Sequence, residues 1–402
     1  MTMSLLALAA QLRSGERSAV DEVEDLAAKV QPGDGFSHLA LEQAHERAQR
    51  LDQQVERGPL HGLLLPVKDL ANVAGMPTTF GSARRTRLAE TTDLLPAALL
   101  DAGAIIPGKS HTAELGLMIY TEPPGLDAPD NPLWPGRTPA GSSGGAAALV
   151  ARGLVPAAHA SDGGGSIRVP AAACGVVGFK PSAPRLAVQG FLTRSLIDAA
   201  FLLHLNPIAG RRRIGVLTEP LFAGAAVDEA HLQAVAEAAG RLCKAGHEVV
   251  EVHPYPDAEV TFAAFRTIFT AKLAGLPGPA EGLVAWLRAH GRAVTRRCLD
   301  QANSHADRLG PYLADHWDVD ALLTPMTTTD PPPIGHFAAM DPEENFLAQT
   351  RWSPWGSLFN MTGAAAVCVP WELPGRPPVG VHLGSIRLTD AELLALAQEL
   401  HT

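Results

Sequence analysis

The sequence predicts an α/β fold, and three observations support that prediction. From about residue 60 onward, short apolar runs such as Leu63 to Val67 and Ala104 to Ile106 alternate with stretches at helical spacing such as residues 92–102. The chain has 402 residues, of which 46% are hydrophobic and 18% charged, so it can bury a large core. Its 38 glycines and 33 prolines indicate many tight turns between short elements.

The elements follow one another without an internal repeat or an obvious linker. Residues 1–57 carry Leu, Ala, Glu and Arg at helical spacing, so we expect surface helices there, packed as an N-terminal segment on one composite domain at 58–402. Within that domain the patterns predict strands at 214–217, 248–252, 321–323, 366–369 and 379–383, and helices at 227–245, across most of 257–317 and at 389–401.

Charge and cysteine content narrow the class of protein. Lys and Arg total 32 against 42 Asp and Glu, a net charge of −10, which argues against a nucleic-acid or anionic-membrane surface. No apolar run approaches the 18 or so residues of a membrane span, and the four scattered cysteines show no metal-ligand spacing. We therefore expect a cytoplasmic protein that does not bind nucleic acid or a membrane. A homodimer is compatible with the sequence but has no support in it.

Two motifs match well-known patterns but lie in the wrong context. Gly103 to Ser110 fits the phosphate-binding pattern GxxxxGK[ST], yet a predicted helix precedes it, Ala104 to Ile106 reads as the strand itself, and Pro107 has no N–H to offer. Gly141 to Gly145 fits the GxSxG nucleophile elbow around Ser143, but three prolines in the preceding residues 132–139 argue against the strand that an elbow requires.

A third motif, Asp162 to Arg168, suits a nucleophile. Three glycines, Gly163, Gly164 and Gly165, leave backbone N–H groups unshielded next to Ser166 at the start of a predicted helix, where an oxyanion could be stabilised. A glycine-rich turn capped by Ser166 is the plain structural alternative. A serine nucleophile needs a base. Lys68, at the end of an apolar strand, could serve if burial lowered its pKa, whereas nothing around His159 suggests a triad.

Taken together, these residues resemble the amidase signature family. The matching segments, in the family's order, are Pro66-Val67-Lys68-Asp69, Gly108-Lys109-Ser110, Asn131-Pro132, Gly141-Ser142-Ser143-Gly144-Gly145, Asp162 to Arg168, Gly178-Phe179-Lys180-Pro181, Thr193-Arg194-Ser195 with Asp198, Leu323-Thr324-Pro325, Phe359 to Gly363 and Pro378 to Val381. The resemblance implies an α/β/α fold with a large mixed central sheet covered by helices, and it makes residues 58–402 the amidase catalytic domain. Phe359 to Leu383 also resembles the branch that hydrolyses cyclic nylon oligomers.

The resemblance also implies a mechanism for amide hydrolysis. Ser166 would be the nucleophile, Ser142 would relay the proton from a cis peptide, and neutral Lys68 would accept it, with the N–H groups of Gly163, Gly164, Gly165 and Ser166 around the oxyanion. Supporting roles would fall to Ser143, Asp162, Arg168 and Asp198, although a simple helix charge is the alternative for Asp198. The implied substrates are small non-peptide amides, with esters as a side activity, and the implied reaction needs no metal or cofactor.

Some features depart from the family pattern. The chain is about a dozen residues shorter than the family pattern between Pro181 and Thr193, and the connection from Ala200 to Ile214 is also shorter. Ala140 stands where the family has a glycine, and Gly163 stands where it has a larger residue.

Four alternative functions stay open at this point. The chain could be a binding protein that keeps the fold, a weakly active enzyme, an amidotransferase subunit that releases ammonia, or an α/β-hydrolase that uses Ser143.

Overall fold

The computed structural model describes residues 4–184 and 186–400. The helices of these residues are α1 (Leu5–Ser14), α2 (Ala19–Lys29), α3 (Leu41–Asp52), α4 (Leu94–Asp101), α5 (Gly144–Ala151), α6 (Arg168–Cys174), α7 (Leu196–Leu202), α8 (Glu229–Lys244), α9 (Ala258–Ala271), α10 (Gly282–Ala293), α11 (Arg296–Trp317), α12 (Pro342–Trp352), α13 (Leu358–Met361) and α14 (Asp390–Gln398). The strands are β1 (Phe36–Leu39), β2 (Val67–Lys68), β3 (Pro77–Thr78), β4 (Arg87–Leu88), β5 (Gly108–Ser110), β6 (Ala157–Asp162), β7 (Val177–Lys180), β8 (Val188–Thr193), β9 (Arg213–Val216), β10 (Glu248–Glu251), β11 (Ala321–Pro325), β12 (Ala366–Trp371) and β13 (Val379–Ser385).

A large mixed sheet organises the chain. Its eight strands run in the order β10-β9-β11-β13-β12-β7-β8-β6. The β10/β9 and β9/β11 pairs are parallel, as the predicted strand–helix–strand unit requires, and the remaining neighbours are antiparallel. The predicted α/β class with a large mixed sheet is therefore confirmed. The division at residue 57 stays a prediction, and its outermost residues 1–3 and 401–402 lie outside the described residues.

Local sequence explains where many helices begin. Ser4 caps α1 by accepting the N–H of Ala7 (3.2 Å), and Asp341 caps α12 ahead of a proline at the first helical position. Thr389 and Glu392 form a capping box at α14. The predicted end of that helix, residue 401, lies outside the described residues. Helix α5 is apolar all round and almost wholly buried, which places it in the core beneath the site.

The N-terminal segment is not purely helical, contrary to expectation. Residues Phe36–Leu39 form β1, which pairs antiparallel with β5, about 70 residues further along the chain. β5 also pairs in parallel with β2, so a small three-stranded sheet, β1-β5-β2, supports the end of β2. The predicted strand at Leu63 to Val67 is shorter than expected, since only Leu64 bridges Ile105 before β2 begins.

The segment that mimics a phosphate-binding loop is structural. Lys109 lies in β5, and its Nζ is 3.0 Å from Asp69 Oδ1, with both side chains fully buried. Asp69 also accepts hydrogen bonds from Ser37 and Thr79. Because the Lys109 amine is paired with a buried carboxylate, it is not available to bind a phosphate. The Asp69 side chain points away from Lys68, the lysine that precedes it.

Among the described helices, none is both long enough and apolar enough to cross a membrane.

Candidate active site

Lys68 lies at the end of β2, where the small sheet meets the edge of the large one. The Lys68 N–H donates to His159 Nδ1 of β6 (3.2 Å), and the His159 N–H donates to the carbonyl of Pro66 (3.0 Å). Residues 159 and 161 of a strand share one face, so Ser161 also turns toward the lysine. Its Oγ is 3.0 Å from Lys68 Nζ. Pairing between these two strands therefore fixes the position of the amine.

The Lys68 amine is fully buried among hydroxyl groups. Its Nζ lies 2.7 Å from Ser142 Oγ and 2.8 Å from Ser143 Oγ, in addition to the Ser161 contact. Burial lowers the pKa of Lys68 from 10.5 to about 7, although the negative charge of Asp162 acts in the opposite direction. Near neutral pH a large fraction of this lysine is therefore an uncharged amine, able to accept a proton.

Ser142 is held from both sides. The peptide between Gly141 and Ser142 is cis, as the resemblance implies. The Ser142 carbonyl accepts the N–H of Ala113 (3.2 Å), and Thr121 Oγ1 donates to the carbonyl of Ala140 (2.7 Å). A Cβ placed on Gly116 would lie 3.5 Å from Ser142 Oγ, an ordinary contact distance, so Gly116 lies directly beside this hydroxyl.

Ser166 lies in the loop between β6 and α6, and its residue is 6% exposed. Its carbonyl accepts the N–H of Ser143 (3.3 Å), which ties the two serine loops together. Ser166, Gly163 and Gly164 line one cleft. Within the part of the chain that the structure describes, the N–H groups of these three residues have no hydrogen-bond acceptor. The expected fourth donor differs, because the Gly165 N–H donates to Asp162 Oδ1 at 2.7 Å and is already occupied.

Asp162 and Arg168 form a buried, bidentate ion pair that braces this loop. Arg168 Nε and Nη2 each lie 3.0 Å from a different Asp162 oxygen, and both side chains are fully buried. Arg168 also donates to the carbonyl of Gly356 (2.8 Å) and to Asn360 Oδ1 (2.8 Å). The guanidinium and the Asn360 amide hold the pKa of Asp162 well below its usual range despite its burial.

Two other predicted residues differ in what they contact. Ser143 accepts from Lys68 and so belongs to the network around the amine. Asp198, in contrast, accepts the N–H of Leu5 at 2.8 Å and ties the start of α1 to α7. Burial raises the pKa of the Asp198 carboxyl, and its supporting role at the site stays a prediction.

His159 and Ser161 make contacts at the site that the sequence did not predict. Burial lowers the pKa of His159 to about 4, so the ring is neutral near pH 7, and its Nε2–H donates to Gln189 Oε1 (2.7 Å). It therefore positions β2 and does not act as a base for Ser166. Ser161 was not predicted at all. The only signal for it was that it shares a strand face with His159, directly before Asp162.

Comparison with known proteins identifies the family of the chain. A model of the family described as Amidase matches residues 19–206. Over 401 residues the chain is 33% identical to AmiB2 of Mycobacterium tuberculosis (strain ATCC 25618 / H37Rv), assigned as an amidase, with 90% of this chain and 86% of that protein covered. The chain belongs to the amidase signature family. It is thus an amidase, a hydrolase of amide bonds.

Solved structures resemble the amidase along nearly its whole length. A 6-aminohexanoate cyclic dimer hydrolase, solved with its substrate, matches with a TM-score of 0.88 and 26% identity over 99% of this chain and 96% of that one. A bacterial aryl acylamidase of the amidase signature family matches with a TM-score of 0.82 and 20% identity over 99% and 96% of the two chains, which supports the fold alone.

Proposed function

We propose that this amidase hydrolyses small carboxamides through an acyl-enzyme on Ser166, with Ser142 as proton relay and Lys68 as base. One observation carries the proposal. A fully buried lysine amine whose pKa is about 7 lies 2.7 Å from the Ser142 hydroxyl. An amine in this state can accept a hydroxyl proton at neutral pH, whereas an exposed lysine, with a pKa near 10.4, cannot.

Acylation begins at the Ser166 hydroxyl and passes one proton to Lys68 through Ser142. Ser166 Oγ forms a bond to the amide carbon and loses its proton to Ser142 Oγ, which passes its own proton to neutral Lys68. The oxyanion that forms accepts hydrogen bonds from the N–H groups of Gly163, Gly164 and Ser166. Ser142 then protonates the leaving nitrogen and recovers a proton from the Lys68 ammonium, and the C–N bond breaks.

Deacylation repeats the same transfers with water as the nucleophile. Water loses a proton toward Ser142 and Lys68 while it attacks the acyl ester, and the proton returns to Ser166 Oγ as the acid leaves. Esters enter the same sequence because their leaving oxygen needs less help from a proton donor. The 6-aminohexanoate cyclic dimer on which a structural relative acts is itself a candidate substrate, as are aryl amides.

Labelling with a serine-directed fluorophosphonate tests the proposal. We expect an adduct on Ser166 in the wild-type protein, mapped by peptide mass, no adduct in Ser166→Ala, and labelling at least 100-fold slower in Lys68→Ala. Ser304→Ala, which alters an exposed serine of α11, is the matched control and should label like wild type.

Two results would contradict the proposal. An adduct on Ser143 that survives Ser166→Ala would favour an elbow-type nucleophile. No adduct on a folded protein that fails to hydrolyse any amide would favour a binding protein with the family fold.

A further inference from the structure

The cleft at Ser166 has an aromatic wall. Two apolar residues from the segment that follows Gly116 and four phenylalanines from α9 and α12 line it: Leu117, Ile119, Phe262, Phe265, Phe269 and Phe346. The rings form one continuous stack, with centroids 6.2 Å apart for Phe262 and Phe265, 5.5 Å for Phe265 and Phe269, and 6.1 Å for Phe262 and Phe346. The cleft is partly open to solvent, so its wall offers an aromatic surface to a substrate that reaches Ser166.

The wall begins next to the proposed oxyanion donors. A Cβ placed on Gly164 would lie 3.1 Å from Phe265 Cζ. Gly116, which lines the same cleft, lies beside the Ser142 hydroxyl, and that hydroxyl delivers a proton to the leaving nitrogen in the proposed mechanism. With the leaving nitrogen turned toward Ser142, as the proposed mechanism requires, the rest of the cleft, including Phe265, is left for the acyl group.

Three polar side chains that line the cleft, those of Gln349, Thr350 and Ser353, already have hydrogen-bond partners. Gln349 Oε1 accepts the N–H of Ile119 (2.8 Å), and its Nε2 donates to Asn345 Oδ1 (2.6 Å). Thr350 donates to the carbonyl of Phe346 (3.0 Å), and Ser353 to that of Met326 (2.9 Å). No Asp, Glu, Lys, Arg or His lines the cleft among residues 4–184 and 186–400. A charged acyl group would lose its hydration there without a counter-ion, which is costly.

From these contacts we infer that the acyl group of the substrate is uncharged and carries an aryl body that packs on Phe265. This inference rests on the proposed function, because it places the acyl group by the positions of Ser166 and Ser142. The substrate class is then a neutral arylalkyl carboxamide, and amides with a carboxylate or ammonium on the acyl group are poor substrates.

Three primary amides test the inference, since they share ammonia as the leaving group. They are 3-phenylpropionamide, propionamide and the charged succinamate. We expect kcat/KM for 3-phenylpropionamide to be about 100-fold higher than kcat/KM for propionamide, because the phenyl ring is buried. The difference from succinamate should be larger still, because its carboxylate would lose hydration. Phe265→Ala should lower the ratio between the first two amides about tenfold, mainly through KM, and Phe265→Leu should lower it less. Phe201→Ala on α7, away from the cleft, should leave the ratio unchanged.

Binding to Ser166→Ala, measured by calorimetry, separates failure of the inference from failure of the proposed function. Binding of 3-phenylpropionamide but not of succinamate supports the inference without reference to turnover. If Ser166 is labelled but succinamate binds and reacts as well as the phenyl amide, the inference is overturned and the mechanism stands. If Ser166 is not labelled and neither amide binds, both are overturned.

Discussion

The pH dependence of hydrolysis follows directly from the burial of Lys68. The drop in its pKa from 10.5 to about 7 corresponds to about 5 kcal/mol against the ammonium form. In the proposed mechanism only the amine accepts a proton, so kcat/KM follows the deprotonated fraction of the free enzyme. That fraction is about one half at pH 7 and about 1% at pH 5. We therefore expect kcat/KM to rise with pH, with unit slope, by about 100-fold from pH 5 to a plateau above pH 8.

Ammonia release from 3-phenylpropionamide between pH 5 and pH 9 measures this profile. Enzyme held at pH 5 and assayed again at pH 8 should recover full activity, which distinguishes titration from unfolding. Ser161→Ala removes an acceptor that favours the ammonium form, so the midpoint should move down by about one pH unit. Lys68→Ala should lose roughly 1,000-fold in kcat/KM together with the pH dependence.

The titratable groups next to Lys68, His159 and Asp162, cannot imitate this result. The pKa of His159 is about 4, below the range of the experiment, and that of Asp162 is held lower than usual. Burial lowers the pKa of Lys180 to about 8, so a limb near pH 8 that survives Lys68→Ala would belong to Lys180. A kcat/KM that is constant from pH 8 to pH 5 in the wild type would refute the reasoning about Lys68.

Three further variants follow from the same contacts. Ser142→Ala should lower kcat/KM for an amide by about 10²- to 10⁴-fold and for a matched ester by less, because an amine leaving group needs the relayed proton; equal losses would contradict a relay. Arg168→Met should lower the free energy of unfolding by about 3–5 kcal/mol in denaturant titration, because Asp162 is left buried and unpaired, and adding Asp162→Asn should recover part of the loss. Gly165→Ala, at a φ of +120° with Val169 Cγ2 3.0 Å from the new Cβ, should cost about 1–3 kcal/mol in the same titration; an unchanged midpoint would show that the loop relaxes.

Periodicity in the sequence was sufficient for most of the scaffold. Helix α8 and strands such as β11 and β13 carry patterns that depend on local residues, and the structure has them within a few residues of the predicted bounds. Helix α11 lies in the stretch 257–317 that is predicted to be mostly helical. Strand β1 could not be found in this way. It has four half-buried residues, and it becomes a strand by pairing with β5, whose position along the chain no local pattern reveals.

The same distinction, between features set by local sequence and features set by long-range contacts, applies to the site. Residue types and spacing were enough to name Lys68, Ser142 and Ser166 through the resemblance, and their roles remain predictions. Which N–H groups are free is a matter of three-dimensional hydrogen bonding, so the occupied N–H of Gly165 could not be foreseen. The contact between Ser161 and Lys68 depends on how β2 meets β6, which no spacing in the sequence encodes.

The ion pair between Asp162 and Arg168 also explains how Lys68 can keep a low pKa so close to a carboxylate. The Asp162 oxygens accept hydrogen bonds from the N–H groups of Gly165 and Ile167 and from the Arg168 guanidinium. Because Arg168 compensates the negative charge, only a weak attraction is left to favour a Lys68 ammonium, and burial prevails. The contact that shapes the loop around Ser166 thus also keeps the neighbouring amine ready to accept a proton.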